Sequence, residues 1–279
     1  MLELPIFILI AQRPGPATGM PTRTAQEDLK FAVNAGHGEF CRMVFAPGTH
    51  RQCYDLTRLA LENAHRFQVP ALMLTDQYLQ DAEKNIVMPD AAVQPIDRHL
   101  ADGDPNGYVR YADTPDGISP RAIPGHGVAV VVDSDEHGED GHLTEDFAAR
   151  IQQQEKRMRK NAGILEAFVM PEIHGDIDAD TALVCWGSTY GACREYVDKM
   201  NAAGKGRFVM IHFAQVWPLP GKRMKTLLAR PRRLIVAENN FTGQFRALLR
   251  EVGISRKMTG VNRYDGLPIT CEYLANEVK

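Results

Sequence analysis

The feature that most constrains this chain is the join between an apolar run and a proline-bound loop near its amino end. Leu4–Ala11 read LPIFILIA, and Gln12–Thr22 follow as QRPGPATGMPT. An apolar run of strand length, bounded by Gly and Pro, predicts a fully buried strand of a parallel sheet. A helix pattern follows over about residues 25–35. Thr24 and Glu27 have the spacing of a capping box there. Leu29, Ala32 and Val33 give the helix its buried face, and Gly36 ends it. The loop therefore sits at the carboxyl end of a strand, where open α/β sheets hold their ligands.

Pro14, Pro16 and Pro21 fix φ and remove backbone donors, while Gly15 and Gly19 permit positive φ or close approach to the main chain. Such a loop is stiff, which suits a site organised before its ligand arrives. It presents Arg13, Thr18 and Thr22. A guanidinium fork matches a carboxylate or phosphate with two parallel hydrogen bonds, and hydroxyls can complete the anion's coordination. The same composition also fits a structural loop with a solvated Arg13, and it leaves both readings open.

The alternation continues. Arg42–Ala46 reads as a strand. Thr49 with Gln52 caps a helix to about Phe67, on which Cys53 is a packed small side chain, and Val69–Thr75 is the next strand. This βαβαβ order marks a parallel sheet. Three buried strands with two helices leave a sheet edge and much of one face uncovered, so residues 1–80 look like the closing half of a larger unit. Residues 81–176 break the rhythm as a loop-rich arm. It is dense in Asp, Pro and Gly from Pro89 to His142, with strand candidates at Tyr108–Tyr111 and Gly127–Val132. Thr144 opens a helix to about Ala162. Residues 177–279 return to α/β alternation. Strands are expected at Thr181–Trp186, Arg207–Phe213, Arg233–Glu238 and Ile254–Met258. Helices are expected at about 190–203, up to Leu228, at Phe241–Val252 and after Thr270.

A formal charge of -3, from 32 basic and 35 acidic residues, gives no electrostatic footprint for nucleic acid. The basic run Lys156–Lys160 (KRMRK) is expected late in a helix, complementing its dipole. Cys41, Cys53, Cys185, Cys193 and Cys271 are scattered, which excludes a ferredoxin-type cluster within the chain and points to a reducing cytoplasm. Leu4–Ala11 lacks the basic flank and cleavage site of a signal peptide, and no run reaches membrane-spanning length. His137 and His142, with Asp133, Asp135 and Glu139, match no metal spacing and read as an acidic surface turn. His37 is the acid/base candidate of the first block, with an unremarkable turn histidine the preferred reading. Gly187–Ser188 and Asn239–Asn240 fall at strand ends, as site residues or as helix caps.

Gln12–Thr22, with Gly36–Phe40 (GHGEF), Met43–Thr49 (MVFAPGT), Val69–Leu79 (VPALMLTDQYL), Glu136–Asp146 (EHGEDGHLTED) and Phe241–Glu251 (FTGQFRALLRE), resembles the alpha subunit of 2-oxoacid:ferredoxin oxidoreductases, in particular the 2-oxoglutarate type. The resemblance implies an α/β fold in three parts. Residues 1–80 would be the second half of a pyrimidine-binding thiamine-diphosphate module, 81–176 a linker, and 177–279 a transketolase-C-terminal-like domain. It further implies CoA-dependent oxidative decarboxylation of a 2-oxoacid, with electrons passed to ferredoxin. Thiamine diphosphate would be shared with a beta subunit that carries Mg and an iron–sulfur cluster. Arg13 would pair with a substrate carboxylate, and Thr18 and Thr22 with that carboxylate or the keto oxygen. The family's upstream YPITP-type motif and its acid for the thiamine ring are not in this sequence, so the chain looks like a truncated or split alpha subunit. Pro14, Ala17 and Cys41 depart from the family's usual Gly, Ser and Pro.

Overall fold

The structure is a computed structural model that describes residues 1–87, 95–101 and 107–278. It contains two twisted sheets. The first has the order β1 (Phe7–Gln12), β3 (Ala71–Asp76), β2 (Met43–Phe45), β7 (Gln215–Trp217). Its first three strands are parallel, and β7 adds antiparallel to β2. The second has the order β4 (Glu172–Gly175), β6 (Phe208–Phe213), β5 (Thr181–Trp186), β8 (Arg233–Glu238), β9 (Met258–Asn262). It is parallel except for β4.

Strand alternation decides the layers, because successive side chains point to opposite faces. Val44, Leu72 and Leu74 of the first sheet face inward, as do Val184, Trp186, Ile211, Phe213 and Val236 of the second. They share one core with α1 (Leu29–Asn34), α6 (Gly221–Leu228) and α7 (Gln244–Glu251). Met43, Phe45, Ala71 and Met73 pack outward on α2 (His50–Phe67) and α4 (Phe147–Glu166). Leu183, Cys185, Met210 and Ile235 pack on α5 (Tyr190–Ala202) and α8 (Cys271–Glu277). The remaining helix, α3 (Gln77–Asp81), follows β3 directly, capped by Asp76.

Several expectations are corrected. Leu4–Ala11 is not a buried strand: β1 starts at Phe7 and lies at the sheet edge, with Ile8 and Leu9, on opposite faces, both exposed, because the described layers cover only part of either face there. The helix expected over about 25–35 shrinks to Leu29–Asn34. Thr24 is buried, and its hydroxyl accepts from the Tyr78 amide, while Glu27 turns to the loop before it, so no capping box forms. Tyr108–Tyr111 and Gly127–Val132 form no strand; among the described residues that region contributes the isolated bridges Leu100–Arg121 and His137–Leu143. Part of the Pro89–His142 stretch lies outside the described residues. Asp146, not Thr144, caps α4, through the Ala149 amide.

The basic run is the largest departure. Lys156, Arg157 and Lys160 are buried. Lys156 Nζ lies 2.9 Å from Glu3 Oε1, Lys160 pairs with Glu3 Oε2, and Arg157 forks onto Glu136. Lys156 and Lys160 turn inward because the Met1–Glu3 segment threads beneath α4 and brings a carboxylate with it. His137 is likewise fully buried, stacked on Tyr111 at 3.8 Å, rather than on a surface turn.

Candidate functional site

The carboxyl ends of both sheets meet at the segment that follows the proline-bound loop. Gln26 is fully buried at this seam. Its Nε2 donates to the Trp186 carbonyl at the end of β5 (2.8 Å), and its Oε1 accepts from the Asn239 amide at the end of β8 (2.9 Å). Its own main chain exchanges bonds with Asn239 and Asn240. Gly48, after β2, comes so close to the second sheet that a Cβ there would lie 2.5–2.7 Å from Tyr190 Cβ, the Gly187 carbonyl oxygen and His212 Nε2.

The loop itself is held from below. Gln12 is 1% exposed; its Nε2 donates to the Thr75 carbonyl and its Oε1 accepts from the Asp28 amide. The Gly15 amide donates to Glu27 Oε2 at 2.9 Å, and the Met20 amide to the Pro14 carbonyl at 3.0 Å. Gly19 has φ +51°, and a Cβ there would collide with the Pro14 carbonyl, so this position requires glycine. On this frame Arg13, Thr18 and Thr22 are all exposed. Their side chains make no hydrogen bond or ion pair among the described residues, which leaves three polar groups on a stiff loop free to meet a ligand.

The buried titratable groups nearby have other duties. Burial raises the Asp76 carboxyl, against bonds from Ser188, the Leu79 amide and Thr24 that favour its charge. Burial also raises Glu238, which accepts from the Phe245 and Arg246 amides at the start of α7. Asn240 Oδ1 accepts from the Gly243 and Gln244 amides just ahead of the same helix, whose N-cap position is Gly243. His212 is pushed down to about 4 by burial, so its neutral ring donates Nε2–H to the Gly187 carbonyl (3.1 Å). Asp28 is raised by its half-buried position and then by Glu27. Asp76, Glu238 and Glu27 are thus engaged in caps and loop support. Sequence reasoning missed Gln26 and gave Glu27 to a helix cap, because their partners are fixed only by the tertiary fold.

The other candidates lie apart. His37 is exposed in its turn. Cys41 is buried, its thiol raised by burial, and contacts the Arg157 carbonyl. It lines a cavity of about 370 Å³ with Leu4, Ile6, Phe40, Gln68 and Lys160. These residues precede β1, β2 and β3 or sit on α4, so the cavity is at the amino ends, opposite the loop. Cys53 is half-buried and its thiol is also raised by burial. Among the described residues no three His, Cys, Asp or Glu gather as a metal site, and no helix is long and apolar enough to cross a membrane.

Fold and loop together define a class: an α/β chain presenting a stiff cationic loop at the carboxyl ends of a parallel sheet. The chain belongs to the pyruvate flavodoxin/ferredoxin oxidoreductase family, whose thiamine-diphosphate-binding family model matches residues 1–157. It is 35% identical to subunit alpha of 2-oxoacid:ferredoxin oxidoreductase 2 from Aeropyrum pernix, over 99% of this chain and 44% of the relative. It is 25% identical to the 2-oxoglutarate synthase subunit KorA of Methanothermobacter marburgensis, over 88% of this chain and 65% of the relative. Among solved structures it is similar to the 2-oxoglutarate:ferredoxin oxidoreductase of Magnetococcus marinus, which has 2-oxoglutarate, coenzyme A and succinyl-CoA bound. That similarity has a TM-score of 0.93 at 32% identity, covering 100% of this chain and 49% of the other. The chain therefore spans about half the length of several relatives it matches.

Proposed function

We propose that this chain serves in a 2-oxoacid:ferredoxin oxidoreductase, with 2-oxoglutarate as substrate, and that the Gln12–Thr22 loop grips the substrate's carboxylate. The observation that carries the reading is the free guanidinium of Arg13 on a loop braced by Gln12, Glu27 and the Pro14–Met20 bond. Arg13 forms the charge-assisted pair with the acid, and Thr18 and Thr22 donate to the same carboxylate or to the keto oxygen. Thiamine diphosphate, shared with a beta subunit that carries Mg and an iron–sulfur cluster, supplies the carbon nucleophile when bound. Coenzyme A takes the acyl group and ferredoxin the electrons, in a cytoplasmic heteromer. In this reading residues 1–80 are half of the pyrimidine module, 81–176 the linker, and 177–279 the transketolase-C-terminal-like domain. The 2-oxoglutarate assignment draws on the names of the Methanothermobacter and Magnetococcus relatives. The Aeropyrum relative, named only for 2-oxoacids, favours testing pyruvate and branched-chain 2-oxoacids alongside.

The test is turnover of the complex assembled with a beta subunit, followed by reduction of ferredoxin. Loss of a charge-assisted bond costs ~1.5–3 kcal/mol. Arg13→Ala should therefore lower kcat/KM for 2-oxoglutarate at least tenfold. Unchanged kinetics removes Arg13 from the site. A chain that needs no partner and binds no 2-oxoacid would favour a non-catalytic fragment that serves in assembly or does nothing.

A further inference from the structure

We infer that Glu27 is a positioning residue for the substrate loop, and that Gln244 ties it to the second sheet. The inference rests on the reading of Gln12–Thr22 as the 2-oxoacid loop. Pro14 and Pro16 have no N–H, so Gly15 carries the one backbone donor of the Pro14–Pro16 stretch. That donor meets Glu27 Oε2 at 2.9 Å. A carboxylate acceptor makes this a charge-assisted bond, stronger than a neutral one.

Glu27 is itself fixed from the other sheet. Its carbonyl accepts from Gln244 Nε2 at 2.6 Å, and Gln244 Oε1 accepts from the Lys30 amide at 2.8 Å. Gln244 is the first residue of α7, shortly after the Asn239–Asn240 turn that clasps Gln26. The next residue, Asp28, gives its amide to Gln12. Arg13 is thus flanked by two anchors, Gln12 before it and Gly15 after it, and both reach the Glu27–Asp28 pair. A helix-capping role would have turned the Glu27 carboxylate back toward Thr24, whose amide instead donates to the Gly266 carbonyl. With the anchor gone, Arg13 and the hydroxyls stay on the chain but lose their fixed placement. This weakens ground state and transition state alike and moves KM rather than kcat.

The experiment pairs amide hydrogen exchange at Gly15, read by NMR on the full chain, with kinetics of the assembled complex. Glu27→Ala should speed Gly15 exchange about tenfold and raise KM for 2-oxoglutarate by a similar factor, with kcat within about twofold. Glu27→Gln, whose amide oxygen still accepts, should restore most of both, and Gln244→Ala should reproduce part of the loosening. Unchanged Gly15 exchange in Glu27→Ala overturns the anchor, whatever Arg13→Ala does to turnover. Faster exchange with an unmoved KM overturns the positioning role. Arg13→Ala, measured in parallel, judges the substrate reading independently.

Discussion

Replacing Glu3 by glutamine removes one charge and almost no volume, yet it should be among the most damaging single changes in this chain. The Glu3 side chain is 4% exposed, and those of Lys156 and Lys160 are 0% and 1% exposed. Two ammonium groups share one carboxylate, with further bonds to the Tyr111 and Gln68 carbonyls. Burial alone would raise the Glu3 carboxyl, but the Lys160 and Lys156 charges and their hydrogen bonds outweigh it and hold it low. Burial pulls Lys156 down to about 8 despite Glu3. Breaking a buried pair costs about 3–5 kcal/mol, because the partner charge is left stranded. The sign with pH follows from the same groups. Lys156 binds its proton less tightly folded than unfolded, so between about pH 8 and 10.5 the unfolded state holds more protons and stability rises with pH. In Glu3→Gln the stranded ammonium groups shed protons more readily still. The destabilisation should therefore be largest near pH 7 and shrink by pH 9.5. On the acid side, the Glu3 contribution is present above its unfolded value and is lost as pH falls through the lowered one. Urea denaturation of wild type and Glu3→Gln at pH 7 and 9.5 measures this. A difference under about 0.5 kcal/mol at pH 7, or one that grows with pH, would refute the reasoning.

Two stability predictions join those for Arg13 and Glu27. Gly48→Ala forces a methyl against Tyr190, Gly187 and His212, and should destabilise by about 1–3 kcal/mol, read as a lowered thermal midpoint. Leu9→Thr changes a side chain of β1 that is 54% exposed, and should change the stability read from urea denaturation by no more than about 0.5 kcal/mol. A large loss there would mean that the Leu9 side chain is covered.

What the sequence disclosed follows from how locally each element is specified. β3, β5 and β8 are nearly continuous apolar runs because both of their faces are covered, and they were legible for that reason. β4 (EIHG) and β7 (QVW) have no such signature; each is a strand only because β6 or β2 offers it an edge. Apolar content misled at Leu4–Ala11, where coverage of the face is a tertiary fact. Charge misled at Lys156 and Lys160, whose partner Glu3 stands about 150 residues earlier in the sequence. The loop's stiffness was legible in its prolines and glycines. Its bracing was not, since Glu27 and Gln26 could as well have served a helix cap, and the choice was made by Gly15, Trp186 and Asn239.

The short strand β7 carries a consequence for how the molecule is assembled. It closes the first sheet beside β2, yet it is synthesised immediately after β6, the strand beside β5 in the second sheet. During translation the border of β2 stays open until Gln215–Trp217 has been delivered. That short strand ties the two sheets together, so damage to either should be felt by both.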